Sequence, residues 1–249
     1  MNEEWIIGKN PVTEALRSGR SINKLFIHDQ LNPKTQQQLA GLAKEAGVIV
    51  KKVPKQKLDQ LVDGAQHQGI VASVAAYKYF ELDDLFNRAK EREEDPFFII
   101  LDEIEDPHNL GSILRTADAS GCHGVIIPKR RAVGLTATVA KTSAGAIEYV
   151  PVVRVTNIAK TIDELKERHV WVVGTEAEAD KDYRELEGDL PLALVIGNEG
   201  KGMSRLVREK CDWTVKLGMK GNVSSLNASV AGSLLMYEIF RKRNPLGEA

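Results

Sequence analysis

Three short polar segments, punctuated by glycine and set among apolar runs, carry the side chains in this chain best equipped for chemistry. They are Asp106-Pro107-His108-Asn109-Leu110-Gly111-Ser112-Ile113-Leu114-Arg115, then Ile196-Gly197-Asn198-Glu199-Gly200-Lys201-Gly202, then Ser224-Ser225-Leu226-Asn227-Ala228-Ser229. An arginine held beyond a sheet edge offers phosphate a rigid fork of donors, so Arg115 is a candidate anion ligand. Asn109 is placed to cap a helix over about 112–120. The glycines at 197, 200 and 202 let a ligand approach the backbone closely. Neither common nucleotide fingerprint fits: there is no GxxxxGK[ST], and Arg205 stands where GxGxxG needs its last glycine. Ser224 or Ser225 is placed to cap a long last helix, with Asn227 in its first turn. The small residues that follow (Ala228, Ser229, Ala231, Gly232, Ser233) predict close packing, within the chain or against a second subunit. Histidines 28, 67, 108, 123 and 169 show no metal-ligand spacing, so no metal is expected, and there is no GxSxG elbow to carry a nucleophilic serine.

The elements that must position these segments alternate. Strands are expected at Phe97–Leu101, Gly124–Ile127, Val150–Val155, Val170–Gly174, Leu192–Ile196 and Trp213–Leu217, with helices at 112–120, 136–146, 157–168, 203–209 and 225–243. Continuous apolar strands alternating with helices predict a doubly wound parallel α/β sheet, whose ligands bind beyond the carboxyl ends of the strands. All three polar segments follow a strand. Upstream, residues 1–78 read as a small α/β domain, with helices near 11–16, 36–46 and 57–62 and strands at 24–27, 48–50 and 70–75. Residues 79–96 read as an acidic, helix-prone linker, and 97–249 as the main domain.

Composition is that of an ordinary globular protein, at 43% hydrophobic and 28% charged residues. No apolar run reaches the ~18 residues of a membrane span, and the acidic start does not resemble a signal peptide. Two cysteines without CxxC spacing give no disulfide framework. A cytoplasmic protein is expected. Net charge is −1, yet residues 1–78 hold 11 Lys+Arg against 7 Asp+Glu, with Lys51, Lys52, Lys55 and Lys57 clustered. Such a patch either contacts phosphates or is a solvated face.

Taken together the segments resemble the SpoU family of RNA ribose 2′-O-methyltransferases. The run 106–117 is similar to the family's first motif, Leu194 to Gly200 to its second, and Leu217-Gly218-Met219 through Ser225-Leu226-Asn227-Ala228-Ser229-Val230-Ala231 to its third. Gly8-Lys9-Asn10-Pro11-Val12 and His67-Gln68-Gly69-Ile70-Val71-Ala72 resemble the family's substrate-binding domain. Gly218 is a departure, since the family usually has proline there. The resemblance implies a ribosomal-protein-L30e-like α/β domain for RNA, then a catalytic α/β domain with a deep trefoil knot. It implies S-adenosylmethionine held around Gly174, Thr175, Glu176, Gly197, Leu217, Met219 and Leu226, and RNA contacts at Lys9, Lys51, Lys52, Lys55 and His67. It also implies a homodimer whose sites are completed by the partner. The implied substrate is a guanosine of 23S ribosomal RNA. A transfer-RNA 2′-O-methyltransferase is the alternative, followed by a non-catalytic RNA-binding ribosome assembly factor; a nicotinamide oxidoreductase lacks its glycine fingerprint. By the same resemblance Arg115 activates the ribose hydroxyl, while Asn109, Glu199, Ser225 and Asn227 orient it. Arginine stays protonated, so its physically easier role is to stabilise a developing alkoxide.

Overall fold

The structure, a computed structural model, describes residues 5–17, 19–75 and 77–246. The chain divides into two compact units, one running to Lys78 and including 134–138, the other comprising 79–133 and 139 onward.

In the first unit the order is β1 (Trp5–Ile7), α1 (Lys9–Arg17), β2 (Ile22–His28), α2 (Pro33–Glu45), β3 (Ile49–Val53), α3 (Lys55–Leu61) and β4 (Ile70–Val74). The sheet order is β1-β4-β2-β3, with β4 antiparallel to β1 and β2, and β3 parallel to β2. Val12, Leu16, Leu25, Ile27, Leu39 and Ile70 form its core. Helix α2 starts three residues earlier than expected, because the Asn32 side chain accepts from Lys34 N and Pro33 occupies the first turn. Strand β1, too short for its period to show in sequence, was not anticipated.

The second unit contains α4 (Leu82–Glu91), β5 (Phe97–Leu101), α5 (Pro107–Ala119), β6 (Gly124–Pro128), all but the first two residues of α6 (Ala137–Thr142), β7 (Val152–Val155), α7 (Ile158–Glu167), β8 (Trp171–Thr175), β9 (Lys181–Asp182), β10 (Leu192–Ile196), α8 (Arg205–Lys210), β11 (Trp213–Lys216) and α9 (Ala228–Arg243). The strands form a parallel sheet in the order β7-β6-β5-β10-β8-β11-β9. β5 and β10 are buried at every residue, as strands covered on both faces must be. Insertion of β10 between β5 and β8 is compatible with the knotted path that the resemblance implies. No helix among the described residues is long and apolar enough to cross a membrane.

Residues 79–96, expected to be a helix-prone linker, contain α4. Helix α4 buries Leu85 and Ala89, and Leu85 joins the core with Phe98, Ile126 and Val153. The four-residue spacing of these apolar positions is hidden in the sequence by the acids around them. The helix expected at 136–146 is broken, because Ala144 (φ 51°) and Gly145 (φ 93°) both turn left-handed before a 3-10 turn at Ala146–Glu148.

At the start of β5, fully buried His123 locks two segments together. Its Nδ1 accepts from Phe97 N at 3.0 Å and its Nε2 lies 3.0 Å from Glu94 Oε2. The acceptor at Nδ1 requires the neutral ring, and the proton then sits on Nε2. Burial lowers the His123 pKa below the ordinary histidine value and outweighs the pull of Glu94, with Arg92 and Arg243 adding to the lowering. A folded-state value below the unfolded one means that the unfolded chain binds the proton more readily. This contribution is therefore complete above about pH 6.5 and is lost as the pH falls through the lower folded value. Chemical denaturation should show stability declining below about pH 6.5, and His123→Gln should flatten that decline; an unchanged slope in the variant would contradict the assignment.

Candidate active site

Strands β5, β10, β8 and β11 are neighbours that point the same way, so the segments leaving their carboxyl ends share one rim. Asp106 starts α5 by accepting from His108 N at 2.9 Å. Asn109 is thereby placed inside the first turn, 7% exposed, not at the cap expected from sequence. Its Nδ2 donates to Glu199 Oε1 at 2.9 Å. Asn227 Nδ2 donates to Asn109 Oδ1 at 2.9 Å and also to Glu199 Oε1. Ala228 N donates to that same oxygen at 3.0 Å. One carboxylate oxygen thus ties together the three segments singled out in the sequence. Glu199 Oε2 has no hydrogen-bond partner among the described residues.

Asn227, not Ser224 or Ser225, is the N-cap of α9: its Oδ1 accepts from Ser229 N at 3.0 Å and Val230 N at 3.3 Å. The loop that carries Glu199 is shaped by Asn198, to which the sequence assigns no role. Asn198 Oδ1 accepts from Gly200 N at 3.0 Å, and its Nδ2 donates to Glu103 O at 3.1 Å. Its backbone closes on Gly202 with bonds of 3.0 and 2.7 Å. Gly197 must be glycine, since a Cβ there would lie 2.4 Å from Gly202 C and Met203 N. Buried Asp102, also missed, accepts from Ser204 N at 2.7 Å and fixes the far end of the loop. A polar residue directly after an apolar parallel strand was the available signal.

Beside this cluster opens a cavity of about 760 Å³. Thr175, Glu176, Gly197, Leu217, Met219 and Leu226 line it, together with Glu199, Ser224 and Ser225. Gly174 does not line it. A Cβ at Gly174 would lie 2.5 Å from Met203 Cε and 3.0 Å from Cys211 Sγ, so this glycine serves packing behind the wall. Gly218 is on the wall, with open space where a Cβ would project. Burial pushes the thiols of Cys122 and Cys211 up to about 12, so neither is a nucleophile near neutral pH.

Arg115 is not brought to the cluster. It is exposed, lies outside the cavity, and makes no hydrogen bond or ion pair among the described residues. Its helix is pinned to α9 by Thr116 Oγ1 and Ser233 Oγ at 2.9 Å. Beside that contact α9 exposes Val230, Leu234, Tyr237 and Phe240, an apolar stripe at helical spacing. Ser112 of α5 shares a shallow depression with Val230, Leu234 and Tyr237.

The sequence profile described as the SpoU rRNA Methylase family matches residues 96–237, and that described as RNA 2′-O ribose methyltransferase substrate binding matches residues 5–80. The chain belongs to the SpoU methylase family. YacO of Bacillus subtilis (strain 168), whose name places it in the TrmH family of tRNA/rRNA methyltransferases, is 62% identical over 245 residues, 98% of each chain. Among solved structures, the SpoU methyltransferase AviRb of Streptomyces viridochromogenes, in complex with the cofactor AdoMet, superposes with a TM-score of 0.61. It is 28% identical and covers 96% of this chain and 90% of its own. The TrmH/SpoU tRNA modifying enzyme of A. aeolicus gives a TM-score of 0.55 at 28% identity, covering 64% of this chain and 84% of its own.

In the SpoU substrate-binding region Lys51 and Lys52 are exposed on edge strand β3, and Lys55 is exposed at the start of α3. Lys9 is half-buried at the start of α1. His67, expected to meet RNA, is instead buried, with Nδ1 accepting from Gly69 N at 2.9 Å and Nε2 2.9 Å from Asp59 Oδ1. Both ring nitrogens serve the turn into β4. No group of three or more His, Cys, Asp or Glu among the described residues is arranged to hold a metal.

Asn227 both caps α9 and donates to Glu199, and a substitution separates the two roles. Asn227→Asp keeps a good cap but replaces the donor with an acceptor facing a carboxylate. It should fold with a melting temperature near that of Asn227→Ala or above it, yet lose methyl transfer at least as completely. Substantial transfer by the aspartate variant would show that capping alone is what the position supplies.

Proposed function

We propose that the chain transfers a methyl group from S-adenosylmethionine to a ribose 2′-hydroxyl of RNA, most specifically a guanosine of 23S ribosomal RNA. The observation that carries this reading is the Asn109–Glu199–Asn227 cluster at the lip of the cavity. The cavity fits the cofactor in kind. Its wall combines the close-approach backbone at Gly197, the apolar Leu217 and Leu226, and polar Thr175 and Glu176. When bound there the cofactor supplies an electrophilic sulfonium methyl.

The chain's own residues then have to align the hydroxyl and favour loss of its proton. Alignment alone is worth roughly 7–11 kcal/mol in favourable cases. Glu199 Oε1 is engaged by donors, so Oε2 is the acceptor left to orient the incoming nucleotide, with Ser225 beside it on the cavity wall. Asn109 and Asn227 hold that carboxylate in place. Arg115 stabilises the developing alkoxide and grips a neighbouring phosphate, the proton leaving through that phosphate or water. Because Arg115 stands apart from the cluster of its own chain, it acts on the site of a second copy, docked through the Val230, Leu234, Tyr237 and Phe240 stripe in a homodimer.

Residues 1–78 serve as the RNA-binding domain, through Lys9, Lys51, Lys52 and Lys55, and 97–249 as the catalytic domain, in a cytoplasmic enzyme. The ribosomal substrate is favoured because the profile matching residues 96–237 is described as an rRNA methylase family, whereas the tRNA modifying enzyme matches across 64% of the chain. Transfer RNA is the second reading, kept because the relatives' names carry both substrates.

Labelled S-adenosylmethionine with unmodified 23S RNA should yield 2′-O-methylguanosine; label in transfer RNA alone would reverse the substrate assignment. Arg115→Ala should abolish turnover while cofactor binding persists. Mixing Arg115→Ala with inactive Asn227→Ala should restore part of the activity, because one of the two sites in the mixed dimer then has every group; no restoration would place Arg115 in its own chain's site. Lys55→Ala should raise KM for RNA severalfold with kcat little changed.

A further inference from the structure

On the cavity wall away from the Glu199 cluster, two side chains from separate elements form an ion pair. Arg208 Nη1 of α8 donates to Glu176 Oε1, just after β8, at 2.6 Å. Both residues line the cavity. The Glu176 side chain is 28% exposed and Arg208 49%, so the carboxylate is partly withdrawn from water. The Glu176 backbone is also fixed, its N–H donating to Val215 O at 3.0 Å. Glu176 Oε2 has no partner among the described residues. Glu178, the other acid nearby on the wall, is exposed and has neither constraint.

We infer that Arg208 is a positioning residue for the cofactor: it orients Glu176 so that Oε2 accepts from a ribose hydroxyl of S-adenosylmethionine, and it cancels the charge that would otherwise draw the sulfonium to this wall. This rests on the cofactor assignment proposed above. A lone carboxylate in a cavity for a sulfonium ligand attracts the positive centre itself, which would hold the methyl away from the Glu199 end where the hydroxyl must arrive. Paired with a guanidinium, the carboxylate remains a good acceptor for neutral O–H donors but loses most of that pull. Arginine suits the task because it never deprotonates and holds its partner in a planar fork. Arg208 lies outside all three polar segments.

Two ligands that differ in charge at sulfur separate this role from a structural one. S-adenosylhomocysteine has the same ribose and lacks the sulfonium charge. By titration calorimetry, Arg208→Ala should weaken S-adenosylhomocysteine about tenfold, and S-adenosylmethionine at least threefold less than that. Arg208→Lys should recover most of both. In a Glu176→Gln background, Arg208→Ala should change neither ligand, since coupled residues are non-additive. Equal weakening of the two ligands, or additivity in the double variant, overturns the inference. So does unchanged binding of both with a raised KM for RNA, which would make Arg208 an RNA contact. If the unmodified protein binds neither ligand, the cofactor assignment falls first and the inference with it; binding by that protein with indifferent variants removes the inference alone.

Discussion

The structure of the site depends on one carboxylate oxygen. Glu199 Oε1 takes donors from Asn109, Asn227 and Ala228, residues 90, 28 and 29 positions away in the chain. A hydrogen bond to a charged group contributes roughly 1.5–3 kcal/mol, and each donor here would lose its partner if the carboxylate moved. The constraint runs outward from there. Glu199 is aimed by the turn that Asn198 closes, and that turn closes only because Gly197 has no side chain in the way. Asn109 arrives because Asp106 starts α5 at the right residue, and Ala228 N is presented because Asn227 starts α9 there. Two helix starts and one hairpin-like loop are therefore fixed against a single atom.

Such a dense polar cluster is affordable only on a rigid base. The sheet beneath supplies it, with β5 and β10 paired along all five residues and buried throughout. Helix α9 then serves two surfaces. Leu235, Met236 and Ile239 enter the core, while Val230, Leu234 and Tyr237 remain exposed on the opposite flank. Gly232 brings the helix close to the sheet, since a Cβ there would lie 2.5 Å from Ile196 Cδ1. The small-residue run read from the sequence is thus explained in part by packing within the chain, at the end of the strand that leads into Gly197.

Much of this was legible in the sequence for a definite reason. Buried parallel strands are unbroken apolar runs, so β5 and β10 could be located, and the polar segments that follow β5, β10 and β11 mark the ligand end of such a sheet. What was not legible was relative position. The capping roles of Asp106 and Asn227 belong to residues with polar competitors beside them, and only the backbone angles choose among Asp106, Asn109, Ser224, Ser225 and Asn227. Gly174 was assigned to the cofactor wall by the resemblance, whereas Met203 and Cys211 fill the space over it. His67 sits in a turn whose two ends are joined through its ring, which no spacing rule reveals. The ion pair between Glu176 and Arg208 joins residues 32 apart, and neither lies in a pattern that distinguishes it from a solvated charge.

The placement of Arg115 bears on why an RNA methyltransferase of this design would associate. The Glu199 cluster consists of one carboxylate and two amides, and it contains no cation of its own. Forming an alkoxide next to a carboxylate is electrostatically unfavourable unless positive charge is brought to the same place. In the single chain the arginine of the first motif is exposed, on the helix that Thr116 fastens to Ser233 and whose Ser112 adjoins the apolar stripe of α9. A partner docked on that stripe would receive the guanidinium together with the contact. Covering the apolar face and completing the charge balance would then be one event, so that an unassembled chain could hold its cofactor while lacking the group that makes the hydroxyl reactive.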